Sequence, residues 1–399
     1  MKQSSTHISG PIFIVAGTTI GAGMLAMPLT SSSAGFLWTT FYLILLWLGM
    51  LASALLTVEL NLANKKTLTI CGLSQKYLNK FGGALGSLSL MLLFVSLLAA
   101  YASGGSSILH ELFDKKFDMA TITVIFVILF GGWITISMKS ADYINRLMFI
   151  AMIIGFAVIM GSLSSKISVD FIMRPEKISL SHMSVIPVLF TTLGVHGSIP
   201  SIMRYVGQDR SKIYKIFIIG SAIPLFVYLC WQAVALGIIP LEGPNSFQTI
   251  HASKNELGTF VNILSSHSSS TTFEFLTEFF TFFAISTSFL GVGISLFDFY
   301  GEVFGKTLGK YRITLSVMTF VPSLVIALYV PEAFIFALEF AALALAMLAI
   351  ILPCIVLYKM KRNGVMTSGS LVTQSWFGIV LYVFGLIVTA IIINNLMGN

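Results

Sequence analysis

Residues 14–28 read Ile14-Val15-Ala16-Gly17-Thr18-Thr19-Ile20-Gly21-Ala22-Gly23-Met24-Leu25-Ala26-Met27-Pro28, an apolar run interrupted by three glycines within seven residues. With its flanks the run is long enough to span a bilayer as a helix. Each glycine weakens that helix by about 1 kcal/mol relative to alanine and lets the backbone approach another group closely. The spacing therefore predicts a helix that breaks near the bilayer midplane. Backbone groups freed there are costly unless protein, water or a ligand pairs them, so a break implies a polar site. A half-helix restarting near Gly21 directs its N–H groups and positive dipole end at an anion such as a carboxylate.

The rest of the chain suits a membrane. Of 399 residues, 56% are hydrophobic and 10% charged, too little charge to solvate the surface of a globule. The net charge of +7 does not indicate nucleic acid, because the basic residues sit in short stretches between apolar runs. Cys71, Cys230 and Cys354 are far apart and show neither a disulfide framework nor metal spacing. The start, MKQSSTHISGPIF, has one lysine and no small-residue cleavage site, so the first apolar segment is expected to stay as a span.

Apolar runs flanked by charge give eleven spans, at 8–30, 36–63, 83–109, 120–137, 144–163, 185–206, 213–239, 273–303, 313–330, 332–358 and 376–396. With a cytoplasmic N-terminus, 17 of the 23 basic residues fall in inside segments, among them Lys2, Lys65, Lys306 and Lys310, and six, among them Lys177, fall outside. Positive charge resists translocation, so this split supports the odd number of spans and an external C-terminus. The long external loop, 240–272, carries an apolar patch at 257–264; it is either a lid with a short helix or a solvated connector.

A second interruption lies in span six: Thr191-Thr192-Leu193-Gly194-Val195-His196-Gly197-Ser198-Ile199-Pro200-Ser201. Pro200 suits the first turn of a restarting half-helix, having no N–H to leave unpaired. Gly17 and Gly194 are 177 residues apart, and each opens a set of five spans. The chain then reads as one transmembrane domain, 1–399, of two inverted repeats, about 8–165 and 185–358, plus an eleventh helix at about 376–396. Glycines at Gly17 and Gly21 also have the GxxxG spacing of close helix packing. Two breaks at matching positions, both with polar residues, favour a transporter binding site.

The stretch Gly17 to Pro28 resembles the opening motif of the bacterial hydroxy and aromatic amino acid permeases, especially the tyrosine- and tryptophan-specific ones. His196 followed by Gly197-Ser-Ile-Pro-Ser201, Ala100-Tyr101-Ala-Ser-Gly104 in span three, and Thr287-Ser-Phe-Leu-Gly291 in span eight are similar to that family too. The resemblance implies the leucine-transporter-type fold of the amino acid/polyamine/organocation superfamily, with helices one and six discontinuous, alternating access and cation-driven uptake of tyrosine, tryptophan or phenylalanine across the bacterial inner membrane. By the same resemblance Gly17, Thr18 and Thr19 border the substrate and the amides of Gly21, Ala22 and Gly23 bind its carboxylate. Carbonyls around Ile20, Val195 and His196 receive the ammonium, Gly197 and Ser198 lie beside them, and Tyr101 and Phe289 border the side-chain pocket.

Ionisable or hydroxyl groups inside spans are candidates for carrying the coupling ion. His196 in the second break can contact substrate or carry a proton. Glu339, eight residues past Pro331, lies about 12 Å along span ten and either shares a proton or is a paired structural carboxylate. Ser286, Thr287 and Ser288 add hydroxyls to mid-span eight, with Thr287 and Ser288 a possible Na⁺ site; the resemblance favours H⁺ instead. Glu274 and Glu278 are read as bordering the outer vestibule, and Glu59 and Asp298 as forming gating ion pairs.

No enzyme motif is present: His110-Glu111 lacks the second histidine of a zinc site, and Gly21-Ala-Gly23-Met-Leu-Ala26 has no strand before it to make a dinucleotide turn. No cofactor, nucleic acid or obligate protein partner is implied; the expected partners are an aromatic amino acid and membrane lipid. The alternatives are a Na⁺-coupled carrier of neutral amino acids such as serine or threonine, a channel, and a non-transporting membrane sensor.

Overall fold

The computed structural model describes residues 8–64, 66–113, 115–174, 180–267, 271–304, 311–330, 333–366 and 369–398. Lys2, Lys65, Lys177, Lys306 and Lys310 of the charge count, and Pro331 and Glu332 at the start of span ten, lie outside the described residues. Among the described residues ten helices are long and apolar enough to cross a membrane, and a bent pair, taken as one span, makes an eleventh. That pair is α1 (Ser9–Thr19) and α2 (Gly23–Ser31), bent by 51°.

The next four spans are α3 (Gly35–Ala63), α4 (Ile70–Leu112), α5 (Met119–Ile136) and α6 (Met138–Leu163), followed by the short α7 (Val169–Ile172). Span six is α8 (Ile186–Thr192), a 3₁₀ turn (His196–Ser198) and α9 (Ile199–Val206). Then come α10 (Arg210–Ile238), two short loop helices α11 (Phe247–His251) and α12 (Glu256–Ser266), and α13 (Thr271–Phe304). The last spans are α14 (Arg312–Tyr329), α15 (Ala333–Ala346) continued by a π turn (Met347–Ile351) into α16 (Leu352–Arg362), and α17 (Ser375–Gly398).

Composition sorts these helices between centre and rim. α15 is rich in alanine, and Ala337, Ala341, Ala342 and Ala346 are buried. On α4, which packs on α15, Ala99, Ala100 and Gly104 are buried too, and a Cβ on Gly104 would stand 2.8 Å from Phe334 of α15. Small side chains let the two backbones come close, the packing available to helices that gain nothing from burying apolar surface out of lipid. α6 and α14 instead leave large apolar side chains outside, such as Ile150, Ile154, Val317 and Val325, as lipid-facing helices do.

Several helix ends differ from the sequence reading. α4 starts at Ile70 rather than at 83, because residues before the apolar run form an extra helical stretch with Leu73 and Ser74 buried. It joins the span at a kink on Asn79, whose φ of 72° and ψ of −169° lie in a region that residues other than glycine rarely adopt. Its side chain accepts the Phe81 N–H at 2.9 Å. α6 likewise begins at Met138 rather than at 144, capped by Ser137, which accepts the Ser140 N–H at 3.3 Å. The π turn before Pro353 was not expected. Proline has no N–H to give the Ala349 carbonyl one turn earlier, and the Ser53 hydroxyl of α3 donates to that carbonyl instead.

In the loop after α10, α12 packs back onto α2, α4 and α13 as a cap. Leu257, Phe260, Val261, Ile263 and Leu264 of α12 are all buried, which an open connector would not do. Two asparagines anchor it: Asn255 Nδ2 donates to Glu111 Oε1 (2.9 Å) and Asn262 Nδ2 to Glu111 Oε2 (2.8 Å).

Candidate functional site

The first interruption falls at 20–22. Ile20 is extended (φ −70°, ψ 119°), its N–H closing on the Ala16 carbonyl, and the chain turns before α2 restarts at Gly23. The second falls at 193–195, and Pro200 stands in the first turn of α9. The breaks touch. A Cβ on Gly23 would lie 2.5 Å from Thr192 Cγ2, and the 3₁₀ turn at His196 packs against α1. The absence of a side chain at Gly23 is what lets the neighbouring break come this close.

A hydrogen-bond inventory shows what remains available. The Ala22 N–H is engaged: Ser288 Oγ of α13 accepts it at 3.0 Å while donating to Ala284 O at 2.8 Å. The N–H groups of Gly21 and Gly23 have no acceptor among the described residues, and neither do those of 194–197. Both His196 ring nitrogens are buried without a partner among the described residues, as is Ser286 Oγ. The Tyr101 ring is buried, its hydroxyl bonded to no described group. Buried polar groups are normally paired, and these stand unpaired around the two helix breaks.

Other residues singled out in the sequence are engaged elsewhere. Thr18 and Thr19 hydroxyls turn back to the Val15 carbonyl (3.0 and 2.8 Å). The Val195 carbonyl takes the Ser198 N–H and hydroxyl (3.2 and 2.8 Å), and the His196 carbonyl takes the Ile199 N–H. Gly17 faces Phe149, 3.1 Å from where a Cβ would stand, whereas a Cβ on Gly197 would meet open space. Thr287 Oγ1 donates to Phe283 O at 2.8 Å. Phe289 is fully buried in an aromatic cluster with Phe126, Phe130 and Phe320, at ring separations of 5.2, 6.3 and 5.8 Å. Glu339 accepts from Asn395 Nδ2 of α17 at 2.9 Å. Glu59 lies 2.5 Å from Arg210 Nε and accepts the Tyr214 hydroxyl at 2.6 Å, tying α3 to the start of α10; Asp298 is exposed on α13.

Tyr228 was not singled out. Its hydroxyl, fully buried in α10, donates to the carbonyls of Thr19 (2.7 Å) and Thr192 (3.1 Å). One turn further, Gln232 Nε2 donates to Ser31 Oγ at 2.9 Å. The available signal was a tyrosine and a glutamine four apart in one apolar span, two polar groups on one helix face that both need partners.

A bundle of long apolar helices of this kind defines a multi-pass membrane protein. Residues 4–393 match the tryptophan/tyrosine permease family, and the chain belongs to it. It is 35% identical over 390 residues to the tyrosine-specific transport system 1 of Haemophilus influenzae, covering 96% of this chain and 95% of that one. It is 34% identical to tyrosine-specific transport system 2 of the same organism, over 86% of each chain. To the tryptophan-specific transport protein of Pseudomonas aeruginosa it is 30% identical, over 92% and 89%.

Proposed function

We propose that this chain is a secondary transporter of the bacterial inner membrane that imports an aromatic amino acid, tyrosine first, by proton symport with alternating access. The observation that carries the reading is the pair of touching breaks with unpaired donors: the Gly21 and Gly23 amides for a carboxylate, and His196, free on both ring nitrogens, beside them. Tyrosine heads the order because the two relatives at 35% and 34% identity are tyrosine-specific. A buried phenol also needs a polar partner, which the Tyr101 hydroxyl and His196 can supply.

Two observations support the finer architecture. Spans three and ten (α4, α15) and spans eight and five (α13, α6) are the two most extensively packed pairs. They exchange under a shift of five spans, as an inverted five-plus-five leucine-transporter-type arrangement requires. On the α12 side of the first break, residues 24–29 are buried, as the closed outer path of an inward-facing state requires.

Proton coupling is supported by His196, a titratable ring whose two nitrogens have no partner among the described residues. The test is uptake of labelled tyrosine, tryptophan and phenylalanine into proteoliposomes under an imposed pH or Na⁺ gradient. Accumulation driven by the pH gradient alone is expected. No uptake or exchange of any of the three would refute the function, and a strict Na⁺ requirement would refute the coupling.

A further inference from the structure

The two carbonyls that Tyr228 pairs hold equivalent places. Thr19 is the last residue of α1 and Thr192 the last of α8, so each carbonyl ends the half-helix that precedes a break. The last carbonyls of a helix have no partner within it, and inside a bilayer no bulk water replaces one. One phenolic proton shared between the two acceptors closes both ends. The acceptors come from opposite halves of the chain, 209 and 36 residues from Tyr228. α10 is held close enough to do this because Gly220 lies against α1, where a Cβ would stand 2.8 Å from Val15 Cβ. A phenol that only filled space would need one acceptor, and any nearby carbonyl would serve. Tyr228 selects the same point in both breaks.

We propose that Tyr228 is a positioning residue that ties the two breaks into one unit. The spacing between the Gly21 and Gly23 amides and the His196 ring is thereby fixed before substrate arrives, so the two ends of one amino acid meet groups already in place. This rests on the breaks being the substrate site. The tie itself does not depend on which substrate they take.

The experiment compares the full-length wild type with Tyr228→Phe, which keeps the ring and removes the oxygen. Hydrogen exchange without substrate is read at 17–24 and 191–198. Both segments are expected to exchange about tenfold faster together, with α5 unchanged, because two buried carbonyls lose their only shared donor. In proteoliposomes KM for tyrosine is expected to rise about tenfold with kcat within about twofold. p-Aminophenylalanine at this position, which keeps a donor, is expected to restore both. Faster exchange at only one break, or KM unchanged while thermal stability falls, overturns the tie. If Tyr228→Phe does not fold, the p-amino variant decides alone, since loss of wild-type exchange or KM with a donor retained also overturns it. Coupled exchange in a protein that takes up no aromatic amino acid would leave the tie standing and remove the transport reading; normal uptake with unaltered exchange would do the reverse.

Discussion

Gly21 and Ser288 offer a test in which two damaging substitutions are expected to do less harm together than their sum. A Cβ on Gly21 would overlap Ser288 Oγ, the atom that accepts the Ala22 N–H. Gly21→Ala therefore either strains the packing, at about 1–3 kcal/mol, or pushes the serine hydroxyl aside and leaves a buried N–H unpaired, at about 1–3 kcal/mol. Ser288→Ala alone orphans the same N–H at about the same cost. In the double variant there is no hydroxyl to overlap, and the Ala22 N–H is lost once rather than twice. Its destabilisation should match that of Ser288→Ala, which makes the coupling about one to three kcal/mol in the compensating direction.

Unfolding of the purified protein in detergent, measured for all four members of the cycle, reads the coupling. Stability that adds within about 0.5 kcal/mol refutes the contact between break and α13. Tyrosine affinity on the same four proteins asks a separate question. If Gly21 is bare so that substrate can approach its amide, Gly21→Ala loses affinity in both backgrounds. Affinity that returns along with stability in the double variant would make Gly21 a packing glycine and move the substrate elsewhere.

Other outcomes follow from single residues. His196→Ala removes two ring nitrogens that no described group uses, so it should leave thermal stability nearly unchanged while lowering tyrosine affinity at least about tenfold by equilibrium binding; a large loss of stability would show the ring to be structural. Glu111→Ala removes the acceptor of the Asn262 side chain and the shorter of the two that Asn255 uses, so protease cleavage within 247–266 should speed up while that in the spans does not. Ser53→Ala removes the hydroxyl that donates to the Ala349 carbonyl inside the π turn and should cost about 1–3 kcal/mol in unfolding free energy, with substrate affinity in the folded fraction preserved.

What could be read from the sequence was whatever depends on one helix at a time. Long apolar runs name their own spans, because in lipid a helix must satisfy its backbone within itself. The breaks show through because glycine and proline act on the local chain, and the restart at Gly23 falls inside the quoted stretch. Features that depend on a partner in another helix did not show. The Asn79 kink and the π turn at 347–351 lie within otherwise ordinary helical text. Glu339 reads as a lone charge until α17 brings Asn395 to it from 56 residues away.

Tyr228 is the sharpest such case, since tyrosine in an apolar run is ordinary core filling by every local rule. Its significance comes from two carbonyls that are themselves invisible in sequence, every residue but its ends looking alike in backbone chemistry. A carbonyl becomes an acceptor worth pairing only where a helix stops. Locating the stops first, and then asking which neighbouring span carries a donor along it, brings Tyr228 into view: α10 packs on α1, and its buried donors include Ser221, Tyr228, Trp231 and Gln232. The breaks are thus the part of the site that local composition can specify. The groups that hold them at a working distance belong to the helix beside them, where the chain has to satisfy the ends that glycine left open.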